Sequence, residues 1–145
     1  MTAKIVVGLG GGDGESRDVT YAKKKAGLIG ECELIVVYVV EWSPYTFQTP
    51  EENAERHKRR EQEIETATSR VVSPQVEALR AEGFSARGMV RHGDVADLLE
   101  SIAKEEKADQ IVVSRTSKAG VLKRVFGSST AHLVMHASVP VTVVG

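Results

Sequence analysis

The sequence is poor in several features that would point to particular classes of protein. It has one cysteine in 145 residues, Cys32, which excludes a disulfide within the chain and a cysteine-based metal cluster. Its 19 lysines and arginines against 20 aspartates and glutamates leave no basic excess of the kind that nucleic-acid binders usually carry. No apolar run approaches the ~20 residues of a membrane span, and no basic-then-apolar signal segment is present. We therefore expect a cytoplasmic protein that binds neither nucleic acid nor membrane.

What the sequence does contain is a regular alternation of strand-like and helix-like segments. The length suits one domain, residues 1–145, which would bury roughly 68–70% of its unfolded surface. The alternation, without linker or repeat, predicts an α/β fold with a parallel sheet covered by helices on both faces. In such sheets, ligands bind outside the carboxyl ends of the strands, where the strand order reverses. The predicted strands are residues 4–9, 33–40, 84–90, 110–113 and 139–144.

The helical stretches between these strands have recognisable ends. Apolar residues from Val19 onward recur at helical spacing until Gly30, which can end that helix in a left-handed cap. A long charged stretch follows the second strand, and Pro74 should kink or split it near Ser73. Asp94 can cap the next helix, and a last helix is predicted to begin at Ser128.

A glycine-rich loop follows the first strand. Five of the seven residues 8–14 are glycine, but their spacing fits neither G-x-G-x-x-G nor G-x-x-x-x-G-K. Asp13 would also place a negative charge near any phosphate. The residues therefore leave two interpretations open: a flexible turn in which Asp13 or Ser16 caps the first helix, or a phosphate-binding loop.

The segment after the fourth strand carries a resemblance to a known family. Ser114 is followed by two residues, Ser117, nine residues, and then Gly127 and Ser128. This spacing resembles the G-x2-G-x9-G-[S/T] signature of the universal stress protein family, with serine at the two leading glycines. The upstream stretch "RHGDVADLLESIAKEEKADQIVVS" and the strand "LIVVYVVE" also resemble the family, so the likeness covers essentially the whole chain.

The resemblance implies a fold and a function. The fold is a flavodoxin-like, adenine-nucleotide α-hydrolase-like three-layer sandwich, with five parallel strands in the order 3-2-1-4-5. The function is that of a non-enzymatic stress-response regulatory module, with at most slow ATP hydrolysis. No cofactor is required, but some members bind ATP, and magnesium with it, at the carboxyl edge of the sheet. Other members bind no nucleotide, which gives the alternative of a protein-interaction module whose protein partner is unknown.

The resemblance also implies which residues form the nucleotide site. This chain departs from nucleotide-binding members at three positions: Gly10 replaces an aspartate that contacts adenine and ribose, and Ser114 and Ser117 replace glycines. Serine disfavours positive φ, although its hydroxyl can donate to a phosphate oxygen. The implied site consists of Gly8, Leu9, Gly10, Val39, Val113, Ser114, Ser117, Gly127, Ser128, Ser129 and Thr130.

Two groups within this segment have a second interpretation. The stretch from Ser128 to Thr130 offers hydroxyls and backbone N–H groups at a helix N-terminus, which suits an anion or simple helix capping. The basic side chains near it add phosphate-attracting charge or form a solvated loop. Those basic side chains are Arg115, Lys118, Lys123 and Arg124.

Other patterns point to assembly rather than to chemistry. The last strand is expected to be an apolar edge, and a symmetric homodimer joined through two such edges would hide both; a monomer with a protected edge is the alternative. His132 and His136 have the spacing of two metal ligands, but no third ligand is evident, so we predict no metal site. No pattern indicates a catalytic residue, and Cys32 is interpreted as a small core residue. The predicted dimer edge is Val141, Thr142, Val143 and Val144.

Overall fold

A five-stranded parallel sheet forms the centre of the structure. The computed structural model describes residues 2–9, 17–41, 49–114 and 130–145. The strand order is β3-β2-β1-β4-β5, which confirms the predicted topology. The strands are β1 (Ala3–Gly8), β2 (Cys32–Glu41), β3 (Ser85–Gly93), β4 (Gln110–Ser114) and β5 (Val141–Val144).

The inner strands are apolar along their length because helices cover both faces of the sheet. Ile5, Val6 and Val7 of β1 have at most 1% of their surface exposed, and residues 34–37 of β2 have none. A strand buried on both faces reads as a continuous apolar run instead of an alternating one. Cys32 is buried at the start of β2, as predicted for a core residue.

Helices pack on the two faces of the sheet in two groups. The helices α1, α2 and α3 bury their apolar side chains on one face, and α4 and α5 bury theirs on the other. Asp94 caps α4 by accepting a hydrogen bond from the Asp97 N–H, and Gly30 follows α1 at φ +93°, both as predicted. None of the described helices is long and apolar enough to cross a membrane. The helices are α1 (Arg17–Ile29), α2 (Pro50–Ala67), α3 (Ser73–Ala81), α4 (Val95–Glu106) and α5 (Ala131–His136).

The predicted break at Pro74 is present, but its form was not predicted. A π-helical turn, Thr68–Val72, joins α2 to α3, and the Ser73 N–H donates to the Thr68 carbonyl five residues back. Proline lacks the N–H that would continue the normal ladder, so the widened turn lets the chain remain helical on both sides of it.

Strand β3 is longer than predicted and passes beneath the π-helical turn. It pairs with β2 as far as Gly93, three residues beyond the predicted end at Val90. Gly88 lies where the turn comes closest, and a Cβ there would overlap the Val72 side chain and stand 3.1 Å from Val76 Cγ2. The glycine therefore allows the helical layer to approach this edge of the sheet.

Substituting alanine for Gly88 should destabilise the protein by about 1–3 kcal/mol, because the added methyl group overpacks the contact with Val72. Gly27 in α1 is the matched control, since a Cβ there meets nothing within 4 Å. Gly27→Ala should stabilise the helix by about 0.5–1 kcal/mol. Urea unfolding of both variants measures the difference. Equal effects at the two positions would contradict this account of Gly88.

Candidate functional site

The carboxyl ends of the strands meet at one edge of the sheet, and β1 and β4 end side by side there; we call this part of the edge, at Gly8 and Ser114, the crevice. Gly8, the last residue of β1, lies opposite Val37 of β2 and Val113 of β4. The next residue, Leu9, donates its N–H to the Val37 carbonyl at 2.8 Å. Leu9 therefore continues the pairing with β2, whereas the pairing with β4 ends at Gly8. Because the strand order also reverses between β1 and β4, this is the expected position for a ligand.

The floor of the crevice is apolar, and Gly8 has a packing role in it. A Cβ on Gly8 would lie 3.0 Å from Leu99 Cδ1 and 3.1 Å from Val113 Cγ1. The glycine thus lets α4 approach the sheet at the end of β1. Val113 is buried, and Val39 packs half-buried against the same cluster. Close packing of a helix on a strand explains this glycine without any phosphate.

Two further residues of the predicted site, Ser114 and Thr130, lie within the described ranges. Ser114 is the last residue of β4, not the first of the loop, and it is half-buried opposite Val144. Thr130 precedes α5 with helical φ and ψ, and its side chain makes no capping hydrogen bond. Capping is therefore not its role in this conformation.

Part of the predicted site cannot be compared with the structure. The predicted helical cap at Asp13 or Ser16 lies outside the described residues, and so does most of the phosphate-binding segment. The site assignment stays a prediction at these positions. The site residues outside the described ranges are Gly10, Arg115, Ser117, Lys118, Lys123, Arg124, Gly127, Ser128 and Ser129.

Sequence reasoning missed one polar residue near the crevice, Asp18. It lies in the first turn of α1, which follows the glycine-rich loop, and its side chain is fully buried. Its Oδ1 accepts a hydrogen bond from the Val19 N–H at 2.8 Å. A signal was available, because Asp18 stands four and eight residues before Ala22 and Ala26 on the buried stripe of the helix.

A second group of charges lies at the end of β3, beneath α2. The His92 side chain is 11% exposed, and its Nε2 is 3.9 Å from a Glu63 carboxylate oxygen. Burial lowers the pKa of His92, and the positive charges of Arg60 and Arg56 lower it further, against the opposing effect of Glu63. The imidazole is therefore held neutral at neutral pH.

A cavity of about 440 Å³ adjoins this group on the α2 face of the sheet. Tyr38 and Val40 of β2 line it together with Arg59 and Arg70 from the helical layer. Its volume falls within the usual range for small-molecule sites. It lies on the face opposite Val39 and Val113, so it is separate from the apolar floor of the crevice.

The amino edge of the sheet is cross-linked by charge. The Arg87 guanidinium donates to Glu106 of α4 and, at 3.1 Å, to Glu33 of β2. The hydrogen bond to Glu106 raises the pKa of Arg87 and lowers the pKa of Glu106. Lys4 Nζ stands 3.9 Å from Glu106 as well. These contacts tie β1, β2, β3 and α4 together at the edge away from the crevice.

The described residues form neither a metal-binding cluster nor a reactive thiol site. The rings of His132 and His136 are 4.4 Å apart, and His132 Nε2 is 3.8 Å from Asp97 Oδ1. Within residues 2–9, 17–41, 49–114 and 130–145, no group of three or more His, Cys, Asp or Glu side chains is arranged to hold a metal ion. Burial raises the pKa of Cys32, which keeps the thiol protonated.

Comparison with known proteins decides the family. The model of the universal stress protein family matches residues 1–145. The chain belongs to the universal stress protein family. No curated protein sequence matches it significantly.

Solved structures of similar fold include other universal stress proteins. Hypothetical protein MJ0577 is 19% identical, with a TM-score of 0.77 over 99% of this chain and 96% of that one. UspA from Lactobacillus plantarum is 21% identical, with a TM-score of 0.73 over 99% and 97%. A universal stress protein from Archaeoglobus fulgidus, in complex with dAMP, is 21% identical, with a TM-score of 0.58 over 99% and 98%. At these identities the likeness establishes the fold of the universal stress protein.

The lowered pKa of His92 predicts a pH dependence of stability. The unfolded imidazole takes up a proton near pH about 6.5, whereas the folded one resists protonation, so the free energy of unfolding should fall as the pH drops below that value. His92→Gln should flatten this slope between neutral and mildly acidic pH in urea titrations. His57→Gln is the control, because the His57 side chain on α2 is 75% exposed. An unchanged slope in His92→Gln would contradict the assignment.

Proposed function

We propose that this universal stress protein binds a nucleotide or another phosphate-bearing ligand in the crevice between β1 and β4, and acts in the cytoplasm as a regulatory module without catalytic activity. The observation that carries the proposal is that β1 and β4 end side by side, at Gly8 and Ser114, where the strand order reverses. The Archaeoglobus fulgidus protein, which shares this fold, was solved with dAMP.

The residues of the crevice have the chemistry to contact both the base or sugar of a nucleotide and its phosphates. The apolar floor of Val39 and Val113 offers a surface for a base or sugar. Hydroxyl groups at Ser114 and Thr130 can donate to phosphate oxygens. The resemblance to the family motif supports a role for Gly127 and Ser128 in holding the phosphates, and four basic side chains in the same segment would supply positive charge.

The specificity of this site should be low. The position of the family's base-contacting aspartate holds Gly10, which brings no acceptor. Asp18 does not replace it, since its carboxylate has no exposed surface. A ligand recognised chiefly through its phosphates would fit this residue set better than one recognised through adenine.

The alternative is a protein-interaction module without a nucleotide. Three departures from the nucleotide-binding pattern favour it, namely Gly10, Ser114 and Ser117. Under this alternative, ligand binding would be absent and the crevice would have no small-molecule role.

We also propose that two chains associate through β5. The Pro140 carbonyl accepts a hydrogen bond from the Ile111 N–H, so the backbone groups of Pro140 face β4. Because successive residues of a strand face opposite neighbours, the backbone groups of Val141 and Val143 point away from β4. Side chains of the preceding helix α5 add apolar surface: Met135 is 79% and Val134 53% exposed. An antiparallel pairing of two β5 edges would satisfy the outward groups of both chains.

Glycine at both serine positions should strengthen nucleotide binding. Glycine has no Cβ and lets a ligand approach the backbone more closely than serine does, so Ser114→Gly with Ser117→Gly should tighten ATP–magnesium binding by roughly tenfold, or ~1.4 kcal/mol. Isothermal titration calorimetry measures the change. Ser101→Gly, on an exposed position of α4, is the control for general loosening of the fold. No binding in either protein at millimolar ATP would overturn the nucleotide proposal and leave the interaction module.

A proline in β5 should separate the two chains. Val143→Pro removes the outward N–H at the centre of the edge, while the ladder to β4 uses the neighbouring positions. Gly145→Pro is the matched control, because it lies beyond the last residue of β5. Sedimentation velocity should give a dimer for the control and a monomer for Val143→Pro. A Val143→Pro protein that is folded and still dimeric would contradict association through β5.

A further inference from the structure

The sheet has a second edge, β3, and two arginines bond to its backbone. Arg80 of α3 donates from Nε to the Ala86 carbonyl at 2.8 Å. Arg91 donates from a terminal guanidinium nitrogen to the Val90 carbonyl at 3.1 Å. The two guanidiniums thus reach carbonyls four residues apart on the outermost strand.

The register shows that these carbonyls point away from the sheet. The Val37 carbonyl faces β1, where it accepts from Leu9, so the even-numbered residues of β2 face β3. Leu34 lies opposite Ala86, and in a parallel pair it bonds to the residues on either side of its partner. The backbone groups of residues 85, 87 and 89 are therefore used by β2. Those of Ala86, Gly88 and Val90 point outward.

Between the two arginine contacts, Gly88 lies in an open groove of about 470 Å³. Val72 and Val76 line the groove from the helical layer, and Arg80 and Arg91 line it as well. An unpaired strand edge with room beside it is a template for another strand. An added strand would need the Ala86 and Val90 carbonyls as acceptors, and both are already bonded to charged donors, which make the stronger hydrogen bonds.

We propose that Arg80 and Arg91 close the β3 edge to strand addition. A strand entering there would have to displace two guanidiniums from their carbonyls and cover their charge. The β5 edge differs: among the described residues, no side chain bonds to the outward carbonyls of Val141 or Val143. Among the described residues, the outward carbonyls of β3 are therefore bonded by arginines and those of β5 are bonded by no side chain.

This asymmetry limits the size of the assembly. If both edges accepted strands, each added chain would expose a new edge, and association would continue into an open array. Because the β3 edge accepts no further strand, association through β5 stops at a dimer. The blocking of the β3 edge by Arg80 and Arg91 is separate from the proposed ligand site and does not depend on it. It also holds for a monomer, in which it would keep β3 from pairing at all.

The test removes both donors and keeps the apolar stems of the side chains. In Arg80→Met with Arg91→Met, the weight-average mass by sedimentation velocity should rise with concentration from micromolar to millimolar, to at least about twice the wild-type value. Arg70→Met with Lys58→Met is the control, because it removes the same charge and adds the same apolar groups at exposed positions. The control should keep the wild-type mass.

Hydrogen exchange identifies the edge that pairs. The Gly88 and Val90 amides should become protected in the larger species, with no matching change at Val143. A folded double variant of wild-type mass at every concentration would overturn the proposal, and so would an equal rise in the control. If the double variant does not fold, the same two measurements are made on Arg80→Met alone. A higher mass with protection of the Gly88 amide supports the proposal that the arginines block strand addition at β3. A wild-type mass and wild-type exchange contradict it.

Discussion

The structure depends on the burial of β1 between two parallel neighbours. Ile5, Val6 and Val7 have almost no contact with solvent, so the backbone groups of this strand must find their partners in β2 and β4. That requirement sets the register on both sides and aligns the carboxyl ends of the strands at one edge. The pairing with β4 ends at Gly8, whereas Leu9 remains bonded to β2. The crevice is thus a consequence of the pairing of the central strand.

The edges of the sheet differ in the side-chain contacts that cover them. At the amino edge, Arg87 and its carboxylate partners tie the strands to α4. Across the sheet, Arg80 and Arg91 bond to the outer backbone of β3, whereas no side chain among the described residues bonds to the outward carbonyls of Val141 and Val143 in β5. Gly88 and Gly8 both lie where a helix packs closely on a strand. Glycine at the end of β1 is therefore explained by packing before any ligand is invoked.

The order of elements and the topology could be predicted, because apolar runs and helical spacing are local, and the family likeness supplied the strand order. The features that depend on tertiary contacts could not be predicted from the sequence. Pro74 indicated a break, yet the π-helical turn follows from how the two helical segments both stay on the sheet. The length of β3 follows from its pairing with β2, since polar residues such as Arg91 and His92 give no strand signal. Asp18 was missed because a buried acid runs against the pattern used to find core residues. The identity of a ligand could not be predicted either, because apolar residues such as Val39 and Val113 do not specify one.

The most direct test of the ligand site is to locate binding on the sheet by amide chemical shifts in a 15N-labelled protein titrated with ATP and magnesium. The account predicts that the largest shifts occur at the carboxyl ends of β1 and β4, at Gly8, Leu9 and Ser114, and that the amino edge around Arg87 stays unchanged. Saturating shifts centred on the cavity beside Tyr38 and Arg70, or no shifts at millimolar nucleotide, would contradict it.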